Sequence, residues 1–320
     1  MPAMTKLIAL FVLLLPLAAR AAEPPLIETT RDDTSISIKQ GDKVLAKYQL
    51  QPDKNAELSV ESACYFHPLK TPAGITVTEV APADHPHHRG VFLGFVEMRG
   101  QVDADFWGWG EHAPKDGRRI VNREIRKLHD GSANGFVAIN QWLAGDDVVI
   151  DEQLEAEVRT FGNVTVLDLQ YTLDPKFEIR LPRWAFSGFC VRTRRDGNMQ
   201  AFGRDGRVDL PDPSHLKPDS DWPAAMWYGY QFRGVNRAAG DGGVTIGVAV
   251  VDHPKNPPTW WHNHRGIGML NPCIAAPTEV RLKVGEPLVL RYRVMAYDGE
   301  MPRERIQRLA EDFRKNYPPN

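Results

Sequence analysis

Strict alternation of apolar and polar positions recurs along most of the chain. Ser35-Ile36-Ser37-Ile38 and Val44-Leu45-Ala46-Lys47-Tyr48 flank the turn dipeptide Gly41-Asp42, which predicts an N-terminal hairpin. The same period marks further strands over Ile75 to Val80, Val91 to Met98, Ile120 to Leu128, Phe136 to Trp142, Val148 to Val158, Val164 to Leu173, Phe186 to Thr193, Val244 to Val251, Val280 to Val284 and Leu288 to Ala296. Clusters of Gly, Pro, Asp and Asn separate them, with no intervening helix of ten to fifteen residues. That pattern excludes a parallel α/β sheet and predicts a mainly β protein, one large antiparallel β sandwich. A helix is expected only at 302–316, where Pro302 suits a first turn and Ile306, Leu309 and Phe313 recur at helical spacing. The stretch Arg195 to Trp222 lacks any period and reads as a long surface loop over a site.

The first residues read differently. Lys6 precedes an apolar run from Leu7 to Leu17, followed by Ala19-Arg20-Ala21, the small-residue pattern of a signal peptidase site. A run of that length is too short for a membrane span, which needs about 20 residues. The expected organisation is therefore a signal peptide over 1–21 and a single sandwich domain with its helix over 22–320, periplasmic or secreted and without a membrane span.

Composition narrows the function classes. Hydrophobic residues at 42% and charged residues at 25% are those of an ordinary folded domain. The formal charge of -2 supplies no basic footprint for nucleic acid. Cys64, Cys190 and Cys273 can close at most one disulfide and show no metal-ligand spacing, so they read as packing residues or one bridge.

Candidate chemistry concentrates in three stretches. The first, Asp84-His85-Pro86-His87-His88-Arg89-Gly90, holds three imidazoles, a carboxylate and a guanidinium. An extended backbone would put His85 and His87 on one face and His88 on the other, so two at most should converge. The second, Asp103 to His112, combines Trp107 and Trp109 with Asp105, Glu111 and His112; indole faces beside carboxylates suit a sugar ring and its hydroxyls. The third, Asp252 to Pro272, is a loop-rich segment carrying His253, Asn256, Trp260, His262, His264 and Arg265. Asp-His-Pro occurs at 84–86 and again at 252–254, each time after an expected strand, which places the two loops facing each other across one cleft.

Several motifs carry a family resemblance. HPL (67–69), TPAG (71–74), DHPHHRG (84–90), DFW (105–107), DHPKNPP (252–258), Trp260, His262, Arg265 and Asn271-Pro272 together resemble the PmoA-like family of secreted bacterial proteins, from about Leu58 to Gly299. The resemblance implies a β sandwich of the galactose-mutarotase type (a supersandwich). The chain departs from the family pattern at Trp227-Tyr228-Gly229.

These residues suit three functions. The first is a carbohydrate-active enzyme of hydrolase, lyase or epimerase type, acting on a saccharide or other small molecule. His85, His87, His88, Asp105 and His253 would be its catalytic groups, with Arg89, Trp107, Trp109, Glu111, Asn256, Trp260, His262 and Arg265 binding substrate. Histidine suits such work because it gives and takes protons near neutrality. The second is a hydrolytic or oxidative enzyme holding a divalent metal ion on His85, His87, His253 and His262. The third is a glycan-binding protein without catalysis.

Overall fold

The computed structural model describes residues 26–127, 134–236 and 243–317. The signal-peptide segment and Leu128 lie outside the described residues. The chain is built mainly from antiparallel sheet. A front sheet of seven strands runs in the order Ile27–Arg31, Ser35–Gln40, Lys43–Gln49, Tyr65–Leu69, Val91–Gly94, Gly188–Arg192 and Met269–Leu270. A back sheet of nine runs Gly206–Arg207, Asn198–Gly203, Trp227–Val235, Val244–Asp252, Leu288–Asp298, Val164–Pro175, Asp147–Phe161, Gly135–Ala144 and Arg118–Lys127. The hairpin expected around Gly41 is present, and Gly41 takes the left-handed conformation (φ 59°) that its turn requires.

Strand alternation assigns each side chain to one of two faces, and the faces make the sandwich. Inward residues such as Ile36, Tyr48, Phe66 and Phe189 of the front sheet share one core with Trp142, Leu154, Leu169 and Tyr292 of the back sheet. Phe189 and Tyr292 stack across the interface with centroids 4.1 Å apart, and Tyr48 meets Phe136 at 5.1 Å. Burial of such side chains contributes roughly 1.5–3 kcal/mol each. A polar network crosses the core, in which Glu152 accepts hydrogen bonds from Asn140 and from Trp142 Nε1, both at 2.7 Å. Cys64, Cys190 and Cys273 are buried free thiols.

Each outer face has its own cover. On the back sheet the helix Arg303–Asn316 lays Ile306, Ala310 and Phe313 over Val166, Trp227, Ala249, Val251 and Met295. Arg293 ties it down, donating to Leu309 O at 2.6 Å while its guanidinium grips buried Asp168 at 2.6 and 2.8 Å. On the front sheet, loops carrying Trp107, Ala185 and Phe186 pack over the outward residues Tyr65, Phe92, Cys190 and Met269. That face carries the histidines.

Some expected elements differ. Ile75 to Val80 forms only isolated bridges, through Thr76, Thr78 and Val80. The strand from Val91 stops at Gly94, short of Glu97, whose φ of 52° breaks the extended run. Strands also form at Asn198–Gly203 and Trp227–Val235, where none is expected. In the second, Gly229 interrupts the apolar pattern because the strands approach closely there: a Cβ would lie 2.6 Å from Val248 O. Among the described residues no helix is long and apolar enough to cross a membrane.

Candidate functional site

Two successive turns shape the first histidine loop. The His85 amide donates to Pro82 O at 2.9 Å and the His88 amide to His85 O at 3.0 Å, so the backbone curls instead of extending. All three imidazoles therefore face one recess, where the extended reading allowed two. Their ring centroids lie 4.5 Å apart for His87 and His88, 5.0 Å for His85 and His88, and 5.6 Å for His85 and His87. Gly90 ends the loop with φ 67°; a Cβ there would sit 2.3 Å from Phe66 O.

The recess holds about 170 Å³. Trp107, Phe186 and Met269 supply apolar surface from the cover of the front sheet, and Trp109 forms a wall against His87, at 5.0 Å and 22°. His262 and His264 come from the third stretch, and Pro213 and His215 from the long loop before Trp222. Six imidazoles thus meet in one small space. Among the described residues, however, no three His, Cys, Asp or Glu side chains are arranged to hold a metal ion.

Electrostatics divides these histidines. His87 is buried and its pKa falls to about 3, through desolvation and then repulsion from His85. His88 falls well below the ordinary value for the same first reason, helped by His87 and Arg192. Arg192 Nη1 donates to His88 Nδ1 at 3.2 Å, which leaves the proton of that neutral ring on Nε2. His85 is oriented by Asp84, 3.0 Å from its Nδ1. Burial works against the Asp84 charge, but bonds from His85, Arg192 and Arg195 outweigh it and hold the carboxyl at about 2.

Across the recess His262 Nδ1 lies 2.6 Å from Asp221 Oδ1, and both side chains are buried. Burial opposes charge on either partner. It raises the Asp221 carboxyl to about 9 and lowers the His262 imidazole to about 3, so the pair shares a single proton and is neutral as a unit. No motif or spacing in the sequence marks Asp221, His215, Phe186 or Met269 as site residues. Asp221 and His215 belong to the aperiodic stretch, where no pattern marks them.

Other expected site residues take different places. His253 is not in the recess. It continues the outward parity of Ala249 and Val251 on the back sheet and meets Phe313 of the helix edge-on at 5.4 Å, on the opposite face of the sandwich. The two Asp-His-Pro loops therefore do not converge, and His253 cannot join His85, His87 and His262 around one ion. Asn256 clamps its own loop, donating to Asp252 Oδ1 and Arg291 O and accepting from the Arg291 amide. Trp260 lies outside the recess under Arg183, 5.4 Å from the ring. Arg89 is turned inward, 1% exposed, donating to Phe106 O and lying over Phe92.

Asp105 is likewise buried and serves its own turn. Its carboxylate accepts from the amides of Trp107 at 2.7 Å, Gly108 at 2.8 Å and Gly110, which fixes both tryptophans. Arg265 binds Asp212 at 3.1 Å and, with the Gly266 amide, ties the 209–213 segment to the third stretch. Glu111 and His112 lie at the surface outside the recess.

Comparison with solved structures finds distant similarity. A polysaccharide lyase shares 14% identity at a TM-score of 0.32, over 88% of this chain and 34% of its own. The galactosidase domain of an α-galactosidase–sucrose kinase shares 10% at 0.30, over 85% and 40%. An α-galactosidase from Lactobacillus brevis shares 10% at 0.31, over 91% and 42%. The chain thus spans less than half the length of each. No curated protein matches it. The model of one family, described as a family of unknown function (DUF6807), matches residues 35–311, and the chain belongs to that family.

Proposed function

We propose that the protein is a saccharide-acting enzyme of lyase or epimerase type, working outside the cytoplasm, in which two Asp–His pairs serve as base and acid. The observation that carries this reading is geometric: two imidazoles that line the recess are each backed by a carboxyl, Asp84 3.0 Å from His85 Nδ1 and Asp221 2.6 Å from His262 Nδ1. Asp84 is ionised, held at about 2, whereas Asp221 keeps its proton to about 9. Titratable pairs pushed apart in this way are how one site runs acid and base chemistry at the same pH.

With Asp84 accepting from Nδ1–H, His85 presents Nε2 as a lone pair and can take a proton from a sugar carbon. With Asp221 donating to Nδ1, His262 presents Nε2–H. As that proton leaves for the departing oxygen, Asp221 passes its own to Nδ1. In an elimination the C–H and C–O bonds break, a C=C bond forms, and the leaving oxygen takes the His262 proton. In an epimerisation the same two pairs act on opposite sides of one carbon. Hydrolysis by paired carboxylates fits less well, because among the described residues no Asp or Glu lines the recess directly. The apolar surfaces of Trp107, Phe186 and Met269 suit the CH face of a pyranose.

The test is incubation with a saccharide panel in D₂O, followed by NMR. A lyase yields an unsaturated product and an epimerase exchanges one ring proton. His262→Gln and His85→Gln should each abolish the signal. Conversion that survives both substitutions would remove the basis of the proposal. Export is checked by N-terminal sequencing, which should find the mature protein starting near Ala22.

A further inference from the structure

Beside the recess runs a groove of about 350 Å³, lined by Trp109, Glu111, Lys115, Trp184, Phe186 and Leu216. It is not a separate site. Trp109, Phe186 and His215 border both spaces, so a ligand can pass from one to the other without leaving the protein surface. We infer that this groove is a second saccharide subsite, which makes a substrate of at least two linked rings the natural occupant; the inference rests on the reading of the recess as a saccharide site.

Three observations support it. Trp109 is 45% exposed although His87 stacks against it, and its indole borders the groove as well as the recess. Trp109 and Leu216, 51% exposed, are among the few large apolar side chains left open to solvent, and both border this groove. Grouped apolar side chains in a groove rimmed by polar residues mark a ligand face, and the CH patches of a pyranose match an indole. Finally, polar partners for hydroxyls lie where a second ring would need them. Lys115 Nζ uses one donor on Gly110 O at 2.9 Å and keeps two, while the half-exposed Glu111 carboxylate accepts. Trp184 completes the wall, edge-on to Phe186 at 6.4 Å.

The experiment is calorimetric titration of the intact protein with D-glucose and cellobiose, D-galactose and galactobiose, and D-mannose and mannobiose. For the sugar that binds, the disaccharide should bind about ten-fold tighter than the monosaccharide, the size of one good aromatic contact. Leu216→Asp should bring the disaccharide down to the monosaccharide level; this residue is exposed, so its replacement leaves the fold intact. Trp184→Ala should act in the same direction, and Trp184→Phe should restore most of the gain. Equal affinity of monosaccharide and disaccharide, or a gain untouched by Leu216→Asp, would overturn the second subsite while the recess stands. Absence of binding by every member of the panel would overturn both.

Discussion

Asp221 meets the recess only through His262, its Oδ1 2.6 Å from the imidazole Nδ1, while its Oδ2 is buried and makes no hydrogen bond among the described residues. A proton carried on Oδ1 satisfies this arrangement. An ionised carboxylate would leave charge on an oxygen with no donor.

Asp221→Asn tests that placement. The amide still donates to Nδ1, so ring orientation and tautomer survive, but no second proton can follow the one His262 gives up. Turnover should fall about 10²–10⁴-fold, the usual worth of general acid catalysis, with little change in melting temperature. The wild-type rate should also decline as pH rises through about 9, where the pair loses its shared proton, and the variant should lack that limb. A pH–rate profile of both proteins checks this; an unchanged alkaline limb in the variant would place the acid elsewhere.

Stability should peak near pH 6.5. His67, His87, His253 and His262 have native pKa values of about 3 to 4, below the ordinary 6.5, so the unfolded chain binds their protons first as pH falls. Asp221 and Asp252 are shifted the other way, to about 9 and about 7, so there the native state holds the extra proton above pH 3.8. Between about pH 4 and 6.5 these four histidines, joined by His85, His88 and His264, favour higher pH, and Asp221 and Asp252, joined by Asp105 and Glu152, oppose them, so stability rises with pH. Above 6.5 the histidines no longer contribute, and the carboxyls of Asp221 and Asp252 make stability fall towards pH 9. Urea midpoints from pH 4.5 to 9 measure the curve, and Asp221→Asn should flatten its alkaline side.

His253→Ala should behave as a packing mutation. The ring is 2% exposed against Phe313 beneath the C-terminal helix. Its removal should cost about 1–3 kcal/mol by the cavity it leaves, and Phe313→Ala more. Denaturant melts give the cost. The imidazole signals of His85, His87 and His262 should stay where they are, because those rings lie on the other face of the sandwich.

The error over His253 shows where sequence reading stops. Its loop copies the tripeptide of 84–86 and also follows a strand, and those features were legible. What decides its face is parity along Val244–Asp252, which continues the outward series of Ala249 and Val251, together with the identity of the layer outside each sheet. Neither is local information. The strands of the hairpin and the long runs 147–161 and 164–175 were legible because one side of each is buried and the period is unbroken. Trp227–Val235 also alternates, with Tyr228, Tyr230 and Phe232 inward, but Gly229 and Gly234 obscure it. Asp221 and His215 reach the recess from a stretch with no period at all, 41 residues from His262 in the case of Asp221.

Asp105 separates positioning from catalysis. The carboxylate was a catalytic candidate on its neighbours in sequence, yet it is 2% exposed and spends its acceptors on three amides of its own turn. Gly108, at φ 103°, completes that turn, and a Cβ there would strike Val60 and His87. The turn therefore holds Trp107 against the floor of the recess and Trp109 against His87. Asp105→Ala should release both tryptophans and cost about 2–4 kcal/mol from the unpaired amides, while Asp105→Asn, which keeps an acceptor, should cost less. In the Asn variant KM should rise several-fold with kcat nearly preserved and the pH profile unmoved, because no proton of the reaction passes through this residue. Loss of kcat with unchanged KM, or a shifted pH limb, would return Asp105 to the chemistry.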